Sequence, residues 1–176
     1  MSRIWLSLKC AQTLVNAIAD ELGKIDTAHA QAYATNAKAY GAQLAELDGR
    51  YASAVAAAPK KALVFADRFP FRYLADDYGL SYFAAFPGCS AETEASFETV
   101  AFLSKKLDEL KLSHVLVIEN SGQKIAQTVI QNTKDKNQRI LVMDSLQSTH
   151  DQDVAAGKTY LSAMEGNLAV LTDALS

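Results

Sequence analysis

The stretch Ala62–Leu80, ALVFADRFPFRYLADDYGL, can be satisfied by few local structures other than strand, charged connection and helix. Ala62–Ala66 is a short apolar run with Val64 and Phe65 inside it, the composition of a buried strand. Asp67-Arg68-Phe69-Pro70 interrupts that run with a charge pair and a proline. Beyond it, Phe71, Leu74, Ala75 and Tyr78 share one helical face, and Gly79 stands where a helix ends in a left-handed residue. In parallel α/β sheets ligands sit outside the carboxyl ends of the strands, and Asp67 and Arg68 are expected there.

The same rhythm continues to the end of the chain. Further strands are predicted at about Ser81–Phe86, Val115–Ile118 and Arg139–Met143. Helices are predicted at about Phe97–Leu110 with Ser96 as cap, from near Ser121, and over about Val154–Leu175. Alternation of this kind implies an α/β fold with a four-stranded parallel sheet, right-handed crossovers and helices on both faces. Ahead of it the chain reads as two helices. Leu8, Ala11, Val15, Ile18 and Leu22 form the seam of the first, with Gly23 as its expected end. Asp26 is the expected N-cap of the second, whose seam is Tyr33, Ala37, Tyr40, Leu44, Leu47 and Tyr51, and Pro59 stops it. The expected division is a helical segment over residues 1–58 and an α/β lobe over residues 59–176.

A hydrophobic content of 49% supports a real core, and a net charge of −3 with no basic stripe gives no reason to expect nucleic acid. No apolar run approaches the roughly 20 residues of a bilayer span. The opening MSRIWLSLKCAQ has no long apolar region and no small-residue cleavage site, so it does not read as a signal peptide. Cys10 and Cys89 form no C-x-x-C pair, and two ordinary thiols are expected.

Chemistry is expected at one edge of the sheet. Asp67, Glu119 and Asp144 follow the first, third and fourth strands, and Glu92 and Glu94 follow the second. Convergent acids raise each other's pKa unless a cation compensates them. A divalent metal ion would do so, and so would Arg68 and Arg72 as a salt-bridge network. Acids in these places also serve as caps for the following helix, and both readings stand at this point. His29, His114 and His150 read as solvated or remote from that edge, and the aromatics Phe69 and Phe71 as core. The sequence has no H-E-x-x-H, G-x-S-x-G or G-x-G-x-x-G. An enzyme using the acid cluster, with Arg68 clamping an anion, would need a nucleophile beside a base, and none is offered, so no enzyme is expected.

The segments IWLSLKCAQ, DRFPFRYLADDYGL, ETEAS, VLVIEN, ILVMDSLQS and AGKTYLSAMEGNL, in that order, resemble the metal-binding substrate-binding proteins of ABC importers for zinc and manganese, which include cell adhesion lipoproteins. The resemblance covers nearly the whole chain. It implies a metal-receptor, chelatase-like fold in which two lobes are joined by one long helix, with the ion between them. On that pattern this chain is the linking helix and the C-terminal lobe of a longer protein. The resemblance implies Asp144 as a metal ligand, with Asp67 beside the second ligand position, and zinc or manganese as the ion. It departs from the pattern twice. Arg3 stands where the family has a histidine ligand before the aliphatic-Trp-Leu segment, and Arg68 where it has His or Glu five residues before Tyr73. The implied site is therefore partial, and metal binding by this chain is expected to be weak or absent. The implied partners are an N-terminal lobe and an ABC permease, and the implied location is extracytoplasmic. The alternative is a stand-alone interaction domain with no metal site, a homodimer through the surface around Ile4 and Trp5.

Overall fold

The computed structural model describes residues 3–87 and 95–176, so Cys89, Glu92 and Glu94 lie outside the described residues. After a 3-10 turn at Ile4–Leu6 the chain forms α1 (Leu8–Ile25) and α2 (Ala30–Ala57). There follow β1 (Ala62–Phe69), α3 (Arg72–Asp77), β2 (Ser81–Pro87), α4 (Phe97–Leu110), β3 (His114–Ile118), α5 (Lys124–Gln131), β4 (Arg139–Met143), α6 (Asp151–Ala155) and α7 (Tyr160–Ala174). The strands lie in the order β2-β1-β3-β4, and each neighbouring pair is parallel. The expected α/β class and four-stranded parallel sheet are present.

Side-chain alternation along each strand builds two cores. Leu63, Phe65, Leu116, Ile118 and Met143 face α2 and α7, where they meet Leu44, Leu47, Tyr51, Met164 and Leu171. Val64, Ala66, Val115 and Val117 face α4 and α5, where they meet Leu103, Leu107 and Val129. All five residues of β3 are buried because β3 is covered on both faces and paired on both edges. The Tyr51 hydroxyl donates to the Met164 carbonyl at 2.6 Å, and its ring stacks on Tyr78 at 5.3 Å. Tyr78 in turn donates to Asp48 at 2.7 Å, so α2, the end of α3 and α7 are joined through the buried Tyr51 and the half-buried Tyr78 stacked on it. Phe69 and Phe71 join Phe65 in the same core, as the sequence suggests.

Four local expectations are corrected. β1 does not stop at Ala66: a register shift between Phe65 and Arg68 lets pairing resume at Arg68 opposite Phe86, so Asp67 and Arg68 belong to the strand. Gly23 does not end α1. A Cβ there would lie 3.3 Å from the Ala30 Cβ, so the glycine allows the start of α2 to pack close. Asp26 makes no side-chain cap, and its carboxylate instead accepts from Tyr33 Oη at 2.8 Å and meets His29 Nδ1 at 2.8 Å. The last helix is two helices, α6 and α7, parted at Gly157, whose φ of +90° suits glycine alone among common residues. α7 then restarts at Thr159, whose side chain caps the amide of Ser162.

The outer parts of α1 and α2 reach beyond the sheet. Among the described residues none from Gln12 to Asn36 is buried. Ile18, Leu22 and Ile25 stay exposed on α1, Ile25 at 82%.

At the amino rim of the sheet, His114 is buried at the start of β3. Arg139 donates to its Nε2 at 2.9 Å, and because a guanidinium only donates, Nδ1 carries the proton toward Ser113 Oγ at 3.0 Å. Burial first, and the Arg139 charge second, hold its pKa below the ordinary 6.5, with Asp173 opposing. The unfolded chain therefore binds this proton at pH values where the folded chain does not. The stability due to neutral His114 should be complete above about pH 6.5 and fall as pH drops through the lower folded value. Urea midpoints measured between pH 8 and pH 5 should decline with acid, and less steeply in His114→Gln.

Candidate functional site

Because the strands are parallel, their carboxyl ends share one rim, and the three acids Asp67, Glu119 and Asp144 all stand there. Each is held by a separate set of partners. Asp67 is 8% exposed. Its Oδ1 accepts from the Arg68 amide at 2.7 Å and its Oδ2 from the Ile118 amide of β3 at 3.4 Å. The Arg68 Nε lies 3.7 Å from the same carboxylate. Asp67 and Arg68 line a cleft of about 220 Å³ with Ala66, Phe86, Asn120 and Lys124.

Glu119 fastens the end of β3 to the segment after β4. Its carboxylate accepts from the Ser145 amide at 2.7 Å, the Ser145 hydroxyl at 2.6 Å and the Gln147 amide at 3.3 Å. Gln147 Nε2 returns to Ser145 Oγ at 2.9 Å, and Gln147 Oε1 accepts from the Arg3 guanidinium at 2.9 Å. Arg3 itself lies over the Trp5 ring, 5.1 Å from its centre, and its buried Nε has no hydrogen-bond partner among the described residues.

Asp144 is fixed through its main chain and its side chain. Asn167 of α7, 2% exposed, accepts from the Asp144 amide at 2.7 Å and donates to the Asp144 carbonyl at 2.8 Å. Asp144 Oδ1 accepts from the Leu146 amide at 2.8 Å, closing a turn in which Leu146 takes a φ of +58°. Asp144 Oδ2 lies 2.6 Å from the Lys158 ammonium. That hydrogen bond, with the fields of Asp144, Asp153 and Glu119, raises the pKa of Lys158 against its desolvation.

Asp67 and Asp144 thus share a rim but no partner, with β3 between their strands. Among the described residues no group of three or more His, Cys, Asp or Glu side chains is placed to hold a metal ion. Arg72 does not join the rim and pairs with Asp76 at 3.6 Å on the surface. His150 caps α6, with its amide donating to Asp153. The acids do satisfy free amides, but those of the neighbouring strand β3 for Asp67, of the segment after β4 for Glu119 and of its own turn for Asp144, not the first turn of a helix. Sequence reasoning missed Lys158, Asn167 and Ser145. The glycine before Lys158 and the Thr159–Ser162 cap after it mark a helix break, the one local sign that Lys158 leaves the helical face.

A family model described as the periplasmic zinc-uptake complex component A matches residues 2–174. The zinc-binding lipoprotein AdcA of Streptococcus pneumoniae is 33% identical over 168 residues, 96% of this chain and 32% of that protein. The chain thus spans about a third of the length of that curated relative. The crystal structure of the Zn(II)-bound ZnuA-like domain of Streptococcus pneumoniae AdcA superposes with a TM-score of 0.78 at 32% identity, covering 98% of this chain and 62% of that one. The metal-dependent lipoprotein YcdH of Bacillus subtilis superposes with a TM-score of 0.83 at 28% identity, covering 98% and 64%.

The Asn167 pair gives a direct test of how the rim is held. Asn167→Ala leaves a part-buried main-chain donor and acceptor of Asp144 without that partner, a loss of about 1–3 kcal/mol. Urea unfolding should show a lower midpoint with an unchanged slope.

Proposed function

The chain belongs to the family of the periplasmic zinc-uptake complex component A, and from that premise we propose that it acts as the C-terminal lobe of a metal-ion substrate-binding protein of an ABC importer. The proposed cargo is zinc or manganese. Residues 1–58 serve as the helical segment linking to a first lobe, and residues 59–176 as the lobe itself. The proposed partners are that N-terminal lobe and an ABC permease, in an extracytoplasmic setting. The observation that carries the reading is the match over residues 2–174, together with Asp144 standing at the carboxyl rim directly after β4.

Asp67 and Asp144 are the proposed metal ligands of this lobe. The donor set fits zinc only in part, since tight zinc sites use about four ligands and favour nitrogen and sulfur beside oxygen. Two carboxylates from one lobe would hold the ion weakly and leave open positions for a facing lobe. Their task is to bind and orient the cargo, and no catalytic step is assigned. Titration calorimetry with zinc and manganese should give weak binding, which Asp144→Ala lowers by on the order of tenfold or more. Sub-micromolar binding that survives the substitution would place the site elsewhere.

A second reading, a homodimeric interaction domain without metal, moves from the expected surface around Ile4 and Trp5, where Trp5 is half-buried beside Arg3, to the exposed Ile18, Leu22 and Ile25 on α1. Light scattering would then give twice the chain mass, restored to one chain by Ile18→Asp. A single-chain mass at high concentration removes this reading.

A further inference from the structure

The carboxylate proposed to hold cargo already holds a cation. Lys158 Nζ lies 2.6 Å from Asp144 Oδ2, and both side chains are about three-quarters enclosed, at 27% and 24% exposure. The contact is built rather than incidental. Gly157 turns the chain with a φ of +90°, the Lys158 amide donates to the Asp153 carbonyl at 2.9 Å, and Thr159 starts α7 immediately after. The partner carboxylate is equally fixed, by Asn167 at both ends of its main-chain unit and by the Leu146 amide on Oδ1. Every oxygen of Asp144 is therefore occupied: the carbonyl by Asn167, one carboxylate oxygen by an amide, the other by an ammonium. The amide cannot leave without opening the turn, whereas the ammonium ends a flexible four-carbon stem.

We propose that Lys158 is the resident cation of Asp144 and that a divalent ion reaches this carboxylate only by displacing the Lys158 ammonium. The inference rests on the metal reading of Asp144 given above and adds a residue that sets the affinity of that site. The exchange makes no covalent bond. The ion takes the Oδ2 lone pairs, and the ammonium turns to water, where a lysine is readily solvated.

Three proteins decide it: Lys158→Met, which keeps the stem and removes the charge, Asp144→Asn, and the double variant. In the metal-free state, thermal melts should show coupling, the double variant being more stable than the sum of the two single losses allows. With zinc, titrated against a competing fluorescent chelator, Lys158→Met should bind about tenfold more tightly than the natural chain, the scale of one charged hydrogen bond. Asp144→Asn should cancel that gain. Absence of coupling in the metal-free protein overturns the inference, because the ammonium is then not resident. Unchanged or weaker zinc binding in Lys158→Met also overturns it. If the natural chain binds zinc through Asp144, that failure is of the displacement alone. If neither protein binds zinc while the coupling stands, the metal reading itself has failed.

Discussion

The pairing of β3 with β1 on one side and β4 on the other, all in one direction, is the constraint from which the rest follows. A parallel pair cannot be joined by a tight turn, so each strand must be followed by a crossover that returns the chain to the amino end. All four carboxyl ends are thereby gathered on one rim, and whatever residue follows each strand is brought there. With β3 buried on both faces and both edges, this ladder has no solvated register to slip into. Asp67, Glu119 and Asp144 come from sites far apart in sequence and meet at this rim for a topological reason.

Gathered charge must then be made tolerable. A carboxylate in a half-enclosed place is costly unless hydrogen bonds and opposite charge replace the lost water. The rim uses both devices. Main-chain amides of Arg68, Ile118, Ser145, Gln147 and Leu146 supply directed donors, and Arg68 and Lys158 supply charge. Glu119 also stitches β3 to the segment after β4, so the same bonds that solvate the acid hold the turn carrying Asp144. Local support and charge compensation are one set of contacts here. That is why Asn167, remote in sequence, counts as part of the site.

The parts of the fold that were legible from sequence are those with a local cause. Short continuous apolar runs marked β1, β3 and β4, as strands covered on both faces require, and three- and four-residue spacings marked α2, α4 and α7, the period a helix imposes on its buried face. Asp67 and Arg68 read as a loop because charge and a nearby proline interrupt the run, yet a register shift keeps them in β1. The break between α6 and α7 was hidden because Val154 stands seven residues before Leu161, a helical repeat that runs straight across it, while Gly157 alone carried the signal. The contacts Arg3–Gln147 and Lys158–Asp144 could not be read at all, since each pairs residues joined only through the fold. A family resemblance can nominate Asp144, but it cannot say what that carboxylate touches.

What the carboxylate touches bears on how a lobe of this kind can work alone and with a partner. A binding lobe that must release its cargo cannot leave acids at its rim without hydrogen bonds or opposite charge in place of the lost water. An ammonium on a flexible stem solves this with a modest attraction, since a partly exposed ion pair is a weak bond in water. On the proposed reading it would neutralise an open rim without sealing it. A divalent ion held by one such lobe would gain little over that ammonium. The same ion ligated from a second side gains further ligands and loses water, and the balance then turns against the lysine. On this view selectivity for the closed, two-sided state comes from the resident cation as much as from the ligands, and Gly157 matters because its turn keeps that cation within reach.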